Sequence, residues 1–134
     1  MDDSRIKQLL EGMQRVAVVG LSPKEDRASN GIARWLVSRG VEVVGVNPAH
    51  QEIHGITVYP DLADVPGRVD IVDIFRRSET VGPVVDAAMA RQDGAVWMQE
   101  SVENAAAAAA AEAADIPVIM DRCLYKEWLR LLNG

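Results

Sequence analysis

Most side chains with binding chemistry follow directly after apolar runs of the chain. They supply hydroxyl, amide, ammonium and guanidinium groups, one aromatic ring, and a glycine that leaves the backbone accessible. This combination suits a phosphorylated adenosine compound, because cations and N–H groups favour phosphates and an aromatic face can stack on a base. The candidate binding residues are Gly20, Leu21, Ser22, Lys24, Arg27, Ser29, Asn30, Asn47, Pro48, Phe75, Arg76 and Arg77.

The segment after the first apolar run joins a glycine to a hydroxyl group and two cations. Gly20 lets the backbone approach a phosphate closely or adopts a turn with positive φ, and a plain turn glycine is the alternative. Ser22 either donates its hydroxyl group to a phosphate or serves only the turn. Lys24 and Arg27 either contact a phosphate or remain solvated in the connecting loop.

A helix predicted to begin near Ser29-Asn30-Gly31 would direct its free N–H groups at the same place. Ser29 has the side chain of a typical N-cap residue. An exposed helix N-terminus stabilises an anion by about 0.3–1 kcal/mol, so an N-cap and a phosphate site can coincide. We therefore expect Ser29 and Asn30 to lie beside a bound phosphate.

The second predicted strand ends in Asn47-Pro48, where dinucleotide-binding folds carry an acidic residue for the ribose hydroxyl groups. The turn after the first strand, Gly20-Leu21-Ser22-Pro23, also lacks the G-x-G-x-x-G fingerprint. Asn47 is expected to hold an adenine or a ribose through its amide group, or else only to form a turn. The sequence thus disfavours an NAD site, although an NAD(P)-binding oxidoreductase or redox sensor remains the alternative function.

The third predicted strand delivers an aromatic ring and two guanidinium groups to the same edge. Phe75, the only phenylalanine, either stacks on a base or packs in the core. The side chains of Arg76 and Arg77 should point to opposite faces, so we expect one of them at most to contact a ligand.

The sequence predicts no catalytic residues and no metal site. His50 and His54 lie in a loop-like segment without a ligand set around them. No nucleophile elbow, Walker loop or pair of catalytic carboxylates is present. Cys123 precedes a predicted helix, whose N-terminus can lower a thiol pKa, so a thiol enzyme is a third hypothesis beside that of an unreactive cysteine.

Five apolar runs are separated by helical patterns, which predicts βαβ crossovers and a parallel sheet buried on both faces. We therefore expect an α/β fold, Rossmann-like, with an open, mostly parallel five-stranded sheet between two layers of helices. Residues 53–61 are predicted as a loop with an edge strand. The predicted strands are 16–19, 41–46, 69–75, 94–98 and 116–120, and the predicted helices are 4–14, 31–39, 81–91, 102–114 and 123–132.

Composition narrows the class of protein further. The 134 residues are expected to form a single domain, 1–134, and 49% of them are hydrophobic. A net charge of −6 argues against nucleic acid as a partner. One cysteine excludes an internal disulfide and fits a reducing compartment. No apolar run approaches the length of a membrane span and no signal peptide is recognisable, so a cytoplasmic location without membrane attachment is expected.

Taken together, these motifs resemble the family of stand-alone CoA-binding domains, whose fold is shared with the N-terminal domain of the succinyl-CoA synthetase alpha subunit. The resemblance spans nearly the whole chain. It implies that coenzyme A is bound through its adenosine and phosphates, with matching positions at Gly20, Ser22, Arg27, Asn30, Asn47, Pro48 and Phe75. It rests on residues 16–22, 27–30, 44–48, 69–77, 96–99 and 120–123.

The sequence departs from the family pattern after Gln99, where Glu100-Ser101 replaces a small, glycine-containing turn. The synthetase subunit also has a second domain with a catalytic histidine, whereas residues 1–134 are expected to form only the first. The resemblance therefore implies a non-catalytic protein that binds coenzyme A or an acyl-CoA as a carrier, sensor or subunit. Nothing in the sequence specifies a protein partner.

Overall fold

A computed structural model describes residues 1–132, in which seven strands and five helices alternate along most of the chain. The strands are β1 (Arg15–Val19), β2 (Glu42–Val46), β3 (Glu52–Ile53), β4 (Ile56–Tyr59), β5 (Ile71–Ile74), β6 (Val96–Met98) and β7 (Val118–Ile119). The helices are α1 (Asp3–Gly12), α2 (Ala28–Ser38), α3 (Gly82–Arg91), α4 (Ala105–Ala113) and α5 (Leu124–Leu132), with short 3₁₀ turns at Leu62–Asp64 and Ser78–Thr80.

The strands form one sheet in the order β3-β4-β2-β1-β5-β6-β7. β3 runs antiparallel to β4, and the other neighbouring strands are parallel. The chain therefore builds one half of the sheet from β1 outwards, returns past β1, and builds the other half from β5 outwards. This arrangement confirms the predicted α/β, Rossmann-like fold with a mostly parallel sheet.

The predicted number of five strands is wrong, because residues 52–59 form a hairpin. Glu52 pairs with Thr57 and Ile53 with Ile56, and the tight turn between them consists of His54 and Gly55. Both turn residues have positive φ, at 51° and 78°, as a two-residue hairpin turn of the I′ type requires. We expected one edge strand there, because the second run is short and no Asn-Gly or Asp-Gly pair marks the turn.

Both faces of the sheet are buried, as the continuous apolar runs predicted. On β1, Val16 and Val18 pack on the face covered by α1, α2 and α5, whereas Ala17 and Val19 pack on the face covered by α3 and α4. Each of these four side chains is fully buried. Burying an aliphatic side chain of this size contributes about 1.5–3 kcal/mol, so the central strands provide a rigid base for the loops at their ends.

Two helices differ most from their predicted starts: α4 begins three residues later than predicted and α2 begins three residues earlier. α4 begins at Ala105 because the side chain of Asn104 accepts a hydrogen bond from the N–H of Ala107 and caps the helix. α2 begins at Ala28, which is earlier than Gly31 and brings Ser29 into its first turn. None of the helices in residues 1–132 is long and apolar enough to cross a bilayer.

Candidate functional site

The carboxyl edge of the sheet has a crevice where the loops after β1 and β5 diverge. These strands are neighbours, yet β1 continues through α2 to β2 on one side, and β5 continues through α3 to β6 on the other. Open α/β sheets bind ligands at such a switch point, beyond the carboxyl ends of the strands. Gly20 and Phe75 open the two loops, so the topology brings these two candidate segments together.

The first cavity lies beside the N-terminus of α2 and has a volume of about 380 Å³; we call it the α2 cavity. Lys24 and Arg27 are exposed at its rim, and neither forms an ion pair with any residue from 1 to 132. Two unpaired cations thus face a concave surface, which favours an anionic ligand. The cavity is lined by Gly20, Ser22, Lys24, Arg27, Ala28, Ser29 and Phe75.

Position 20, which lines this cavity, accommodates only glycine without strain. Its φ is +89°, and an added Cβ would lie 2.6 Å from the carbonyl oxygen of Phe75. Its N–H donates a hydrogen bond to the carbonyl oxygen of Val46. The turn with positive φ that the sequence suggested is therefore present, and the close approach of the β5 loop gives glycine a second reason.

Three side chains, those of Ser29, Asn30 and Asn47, hold the turn after β1 through hydrogen bonds. The N–H of Ser22 donates to Oγ of Ser29 at 3.0 Å. Nδ2 of Asn30 donates to the carbonyl oxygen of Ser22 at 2.9 Å, and Nδ2 of Asn47 donates to that of Leu21 at 2.9 Å. Ser29 and Asn30 are buried. These side chains act on the backbone of the turn, so they position the groups that line the cavity.

The predicted N-cap role of Ser29 is wrong, because the helix begins one residue before it. Arg27 is the N-cap residue and makes no side-chain cap bond. Within residues 1–132 the N–H groups of Ala28 and Ser29 have no hydrogen-bond acceptor, and Ala28 and Ser29 line the α2 cavity. Free N–H groups at the positive end of a helix dipole form an anion-binding site.

Asn47 uses both ends of its amide group inside the protein. While Nδ2 donates to Leu21, Oδ1 accepts a hydrogen bond from the N–H of Ala49 at 2.8 Å. A carboxylate in this place binds ribose hydroxyl groups as an acceptor, but the amide oxygen of Asn47 is already engaged. Pro48 follows as an exposed residue of the same turn. The geometry agrees with the sequence argument against an NAD site.

Leu21 and Phe75 connect the site to the core. Leu21 is fully buried, and an added Cβ on Gly45 would lie 2.7 Å from its side chain. Any ligand contact of Leu21 therefore has to involve its backbone. Phe75 is half-buried, packs against the apolar cluster under α2, and also lines the α2 cavity. Its two predicted roles, core packing and a face towards a ligand, are thus compatible.

A second cavity of about 510 Å³ lies on the opposite face of the sheet, beside α3; we call it the α3 cavity. Its floor is apolar, and its rim carries carboxylate, hydroxyl and guanidinium groups. Most of these residues were not predicted from the sequence, because they lie in or beside the 3₁₀ turns and in α3 and form no motif. The lining residues are Val19, Val46, Asp61, Leu62, Ala63, Arg76, Glu79, Thr80, Pro83, Val84 and Ala87.

The two arginines after β5 have different surroundings. Arg76 is half-buried and lines the α3 cavity. Arg77 is exposed and lies 3.7 Å from a carboxylate oxygen of Glu79, measured from its Nε. Of the candidate residues, Leu21, Asn30, Asn47, Pro48 and Arg77 line neither cavity.

Asp73 is an unusual buried acid beneath this edge. It lies in β5 between Val18 and Trp97 and is fully buried. Neither of its carboxylate oxygens has a hydrogen-bond partner among residues 1–132. Burial raises the pKa of Asp73 well above its usual range, which favours the uncharged acid. The sequence signal was an acidic residue within the apolar run Ile71–Ile74.

At the far end of the same edge, Cys123 lies half-buried in a cleft with Glu100 and Lys126. Nζ of Lys126 donates to both carboxylate oxygens of Glu100, at 3.1 and 3.0 Å. Glu100, the acidic residue at which the sequence departs from the family pattern, is therefore paired with Lys126. In residues 1–132 no group of His, Cys, Asp and Glu side chains is arranged to hold a metal ion.

A family model and several known proteins match most of this chain. The family model of the CoA binding domain matches residues 14–128. The protein YneT of Bacillus subtilis (strain 168) is 33% identical over 121 residues, which cover 90% of each chain. A hypothetical protein from Pyrococcus horikoshii OT3 superposes with a TM-score of 0.94 at 31% identity, over 98% of this chain and 93% of that one.

A longer enzyme contains a similar segment. The ADP-forming acetate–CoA ligase I of Archaeoglobus fulgidus is 35% identical over 71 residues, which are 53% of this chain and 10% of the ligase. The match to the family model covers well over half of the chain, and it confirms the resemblance that the motifs suggested. The chain belongs to the CoA-binding domain family.

Proposed function

We propose that this protein binds coenzyme A without catalysing a reaction on it, and that the α2 cavity holds the diphosphate. The observation that carries the proposal is the N-terminus of α2, where Ala28 and Ser29 have no acceptor for their N–H groups within residues 1–132 and line a cavity with two cations at its rim. Family membership supports the identity of the ligand. The net charge of −6 does not oppose the binding of an anion, because the local groups dominate at contact distance.

The adenosine part is assigned to the α3 cavity. Val19 lines the α3 cavity and Gly20 lines the α2 cavity, so one ligand can cross the end of β1 and occupy both. The apolar floor formed by Val46, Leu62 and Pro83 suits an adenine ring. An acyl-CoA shares the same nucleotide part and is expected to bind in the same way.

The side chains of the two cavities support a binding role rather than a catalytic one. Among residues 1–132, no histidine or cysteine lines either cavity. Bound coenzyme A supplies a thiol that carries acyl groups as thioesters. The protein's own residues orient the diphosphate through backbone N–H groups and cations, and the carrier, sensor or subunit role expected from the sequence requires no more than this.

An NAD(P)-binding function is not favoured. The turn after β1 has no glycine fingerprint, and the amide group of Asn47 is engaged within the protein at both ends. NADH and NADPH are therefore suitable comparison ligands, which should bind far more weakly than coenzyme A.

Isothermal titration of the purified chain with coenzyme A tests the proposal. We expect saturable binding, and the double variant Lys24→Gln/Arg27→Gln should weaken it by about tenfold or more, since charge-assisted contacts to a phosphate are lost. Lys126→Gln removes a cation that is paired with Glu100 outside both cavities, so it is the matched control and should bind normally. Absence of binding at millimolar coenzyme A, or preferential binding of NADH, would overturn the proposal.

A further inference from the structure

Arg76 is a half-buried cation without a partner inside the protein. Its guanidinium group makes no hydrogen bond and no ion pair within residues 1–132. Its side chain starts beside the end of β1, where Cγ lies 3.5 Å from the position of an added Cβ on Gly20, and it lines the α3 cavity. Partial burial of an unpaired cation costs free energy, and a bound anion would remove that cost.

The acidic residues on the rim of the α3 cavity are engaged elsewhere. The side chain of Asp61 accepts from the backbone of Asp64 in the capping box of the 3₁₀ turn. The carboxylate of Glu79 is mostly exposed, and its Oε1 lies 3.7 Å from Nε of Arg77, a residue outside the cavity. Arg76 is therefore the cavity's cation that is left available for a ligand.

The positive groups of the site thus form two sets on opposite faces of the sheet edge. Lys24, Arg27 and the N-terminus of α2 lie at the α2 cavity, and Arg76 lies at the α3 cavity. Coenzyme A has its negative charge in two corresponding places, a diphosphate on the 5′ position of the ribose and a separate phosphate on the 3′ position. A guanidinium group binds such a phosphate monoester well, because its planar N–H groups can pair with two oxygens.

We propose that Arg76 binds the 3′-phosphate of coenzyme A and makes the site selective for coenzyme A over dephospho-CoA. This inference rests on the proposed function, and it names the residue of the protein that distinguishes coenzyme A from dephospho-CoA. Arg76 is then a specificity-determining residue, whereas the α2 cavity binds the diphosphate that both ligands share.

The test is a titration of three proteins with two ligands. The wild type should bind coenzyme A at least about tenfold more tightly than dephospho-CoA. In Arg76→Gln this ratio should fall close to one, through loss of affinity for coenzyme A with the affinity for dephospho-CoA unchanged. Arg77→Gln removes the neighbouring cation outside the cavity and should keep the wild-type ratio.

The outcomes separate this inference from the proposed function. If the wild type binds both ligands equally, or if Arg76→Gln weakens both by the same factor, the role of Arg76 is refuted while coenzyme A binding stands. The same holds if Arg77→Gln abolishes the preference as fully as Arg76→Gln does. If the wild type binds neither ligand, both proposals fall together.

A competition experiment on the wild-type protein does not depend on the folding of any variant. Adenosine 3′,5′-bisphosphate should displace bound coenzyme A at a clearly lower concentration than adenosine 5′-monophosphate, and the difference should shrink as salt screens the ion pair. Equal potency of the two nucleotides at low salt would exclude a 3′-phosphate site in the α3 cavity.

Discussion

The α2 cavity and the α3 cavity lie at the same edge of the sheet but are built from different groups. The α2 cavity is formed by a backbone turn and a helix N-terminus, which Ser29, Asn30 and Asn47 hold in place through side-chain hydrogen bonds. The α3 cavity has an apolar floor and the guanidinium group of Arg76, which has no partner within residues 1–132. The polar side chains of Ser29, Asn30 and Asn47 therefore hold the shape of the α2 cavity, and we propose that its cations and backbone N–H groups contact the ligand.

The largest effect is expected from Gly20→Ala, which disrupts the turn of the α2 cavity directly. The new Cβ requires an unfavourable φ and meets the carbonyl oxygen of Phe75 at 2.6 Å. We expect a loss of more than about 2 kcal/mol in the free energy of unfolding, together with loss of coenzyme A binding. Chemical denaturation and titration measure the two effects.

The control for this change is Gly12→Ala in α1, where an added Cβ meets nothing within 4 Å. It should be neutral or stabilising by up to about 1 kcal/mol, since alanine favours a helix over glycine. If Gly20→Ala changed stability and binding as little as Gly12→Ala, the turn after β1 would not be the rigid element that shapes the α2 cavity.

Asn47→Asp tests whether this residue positions the turn. The substitution removes the Nδ2 donor to Leu21 and places a carboxylate oxygen against the carbonyl oxygen. We expect stability to fall by about 1–3 kcal/mol and coenzyme A binding to weaken. Asn104→Asp is the matched control, because Asn104 caps α4 through its oxygen and an aspartate can accept the same bond. Unchanged affinity in Asn47→Asp would remove Asn47 from the site.

Asp73→Asn tests the support beneath the α2 cavity, because Asp73 lies in β5, two residues before Phe75. Burial raises the folded-state pKa of Asp73, so the folded protein binds its proton more tightly than the unfolded chain. The stability from that proton is complete below about pH 4, the unfolded value, and is lost as pH rises towards the folded pKa.

The wild type should therefore lose stability relative to Asp73→Asn as pH rises from about 4, by about 1.4 kcal/mol for each unit of pKa shift. Denaturant titrations at several pH values measure this difference, with the exposed Asp86→Asn as control. A difference between wild type and Asp73→Asn that is the same at every pH would show that the carboxyl group of Asp73 does not titrate differently on folding.

The smallest effect is expected from Ser22→Ala. Its Oγ accepts a hydrogen bond from the N–H of Lys24 at 3.1 Å on the exposed side of the turn. Its loss should cost about 0.5–1.5 kcal/mol in stability and weaken coenzyme A binding by less than about tenfold, because the backbone N–H groups remain. Ser38→Ala, which removes a bond to Trp35 at the other end of α2, should leave binding unchanged. A larger loss of affinity in Ser22→Ala would show that the hydroxyl group of Ser22 makes the main contact to the phosphate.

Local patterns were enough to predict most of the fold. The apolar runs around Val16–Val19 and Ile71–Ile74 are buried on both faces, as such runs predict. The His54-Gly55 hairpin was missed, because a two-residue turn with positive φ at a histidine has only a weak sequence signal. The predicted N-cap role of Ser29 was also wrong, because its Oγ accepts a hydrogen bond from the N–H of Ser22 in the turn after β1. The sequence around the helix start does not reveal this contact.

The sequence by itself determined the fold class and the family, and it predicted the edge of the sheet where the ligand site should lie. These follow from short-range hydrophobic periodicity and from the order of glycine, amide and arginine residues along the chain. Only the tertiary structure decided the role of each side chain. Whether Asn47 faces a ligand or the carbonyl oxygen of Leu21, and whether Arg76 or Arg77 enters a cavity, depends on contacts between segments distant in sequence.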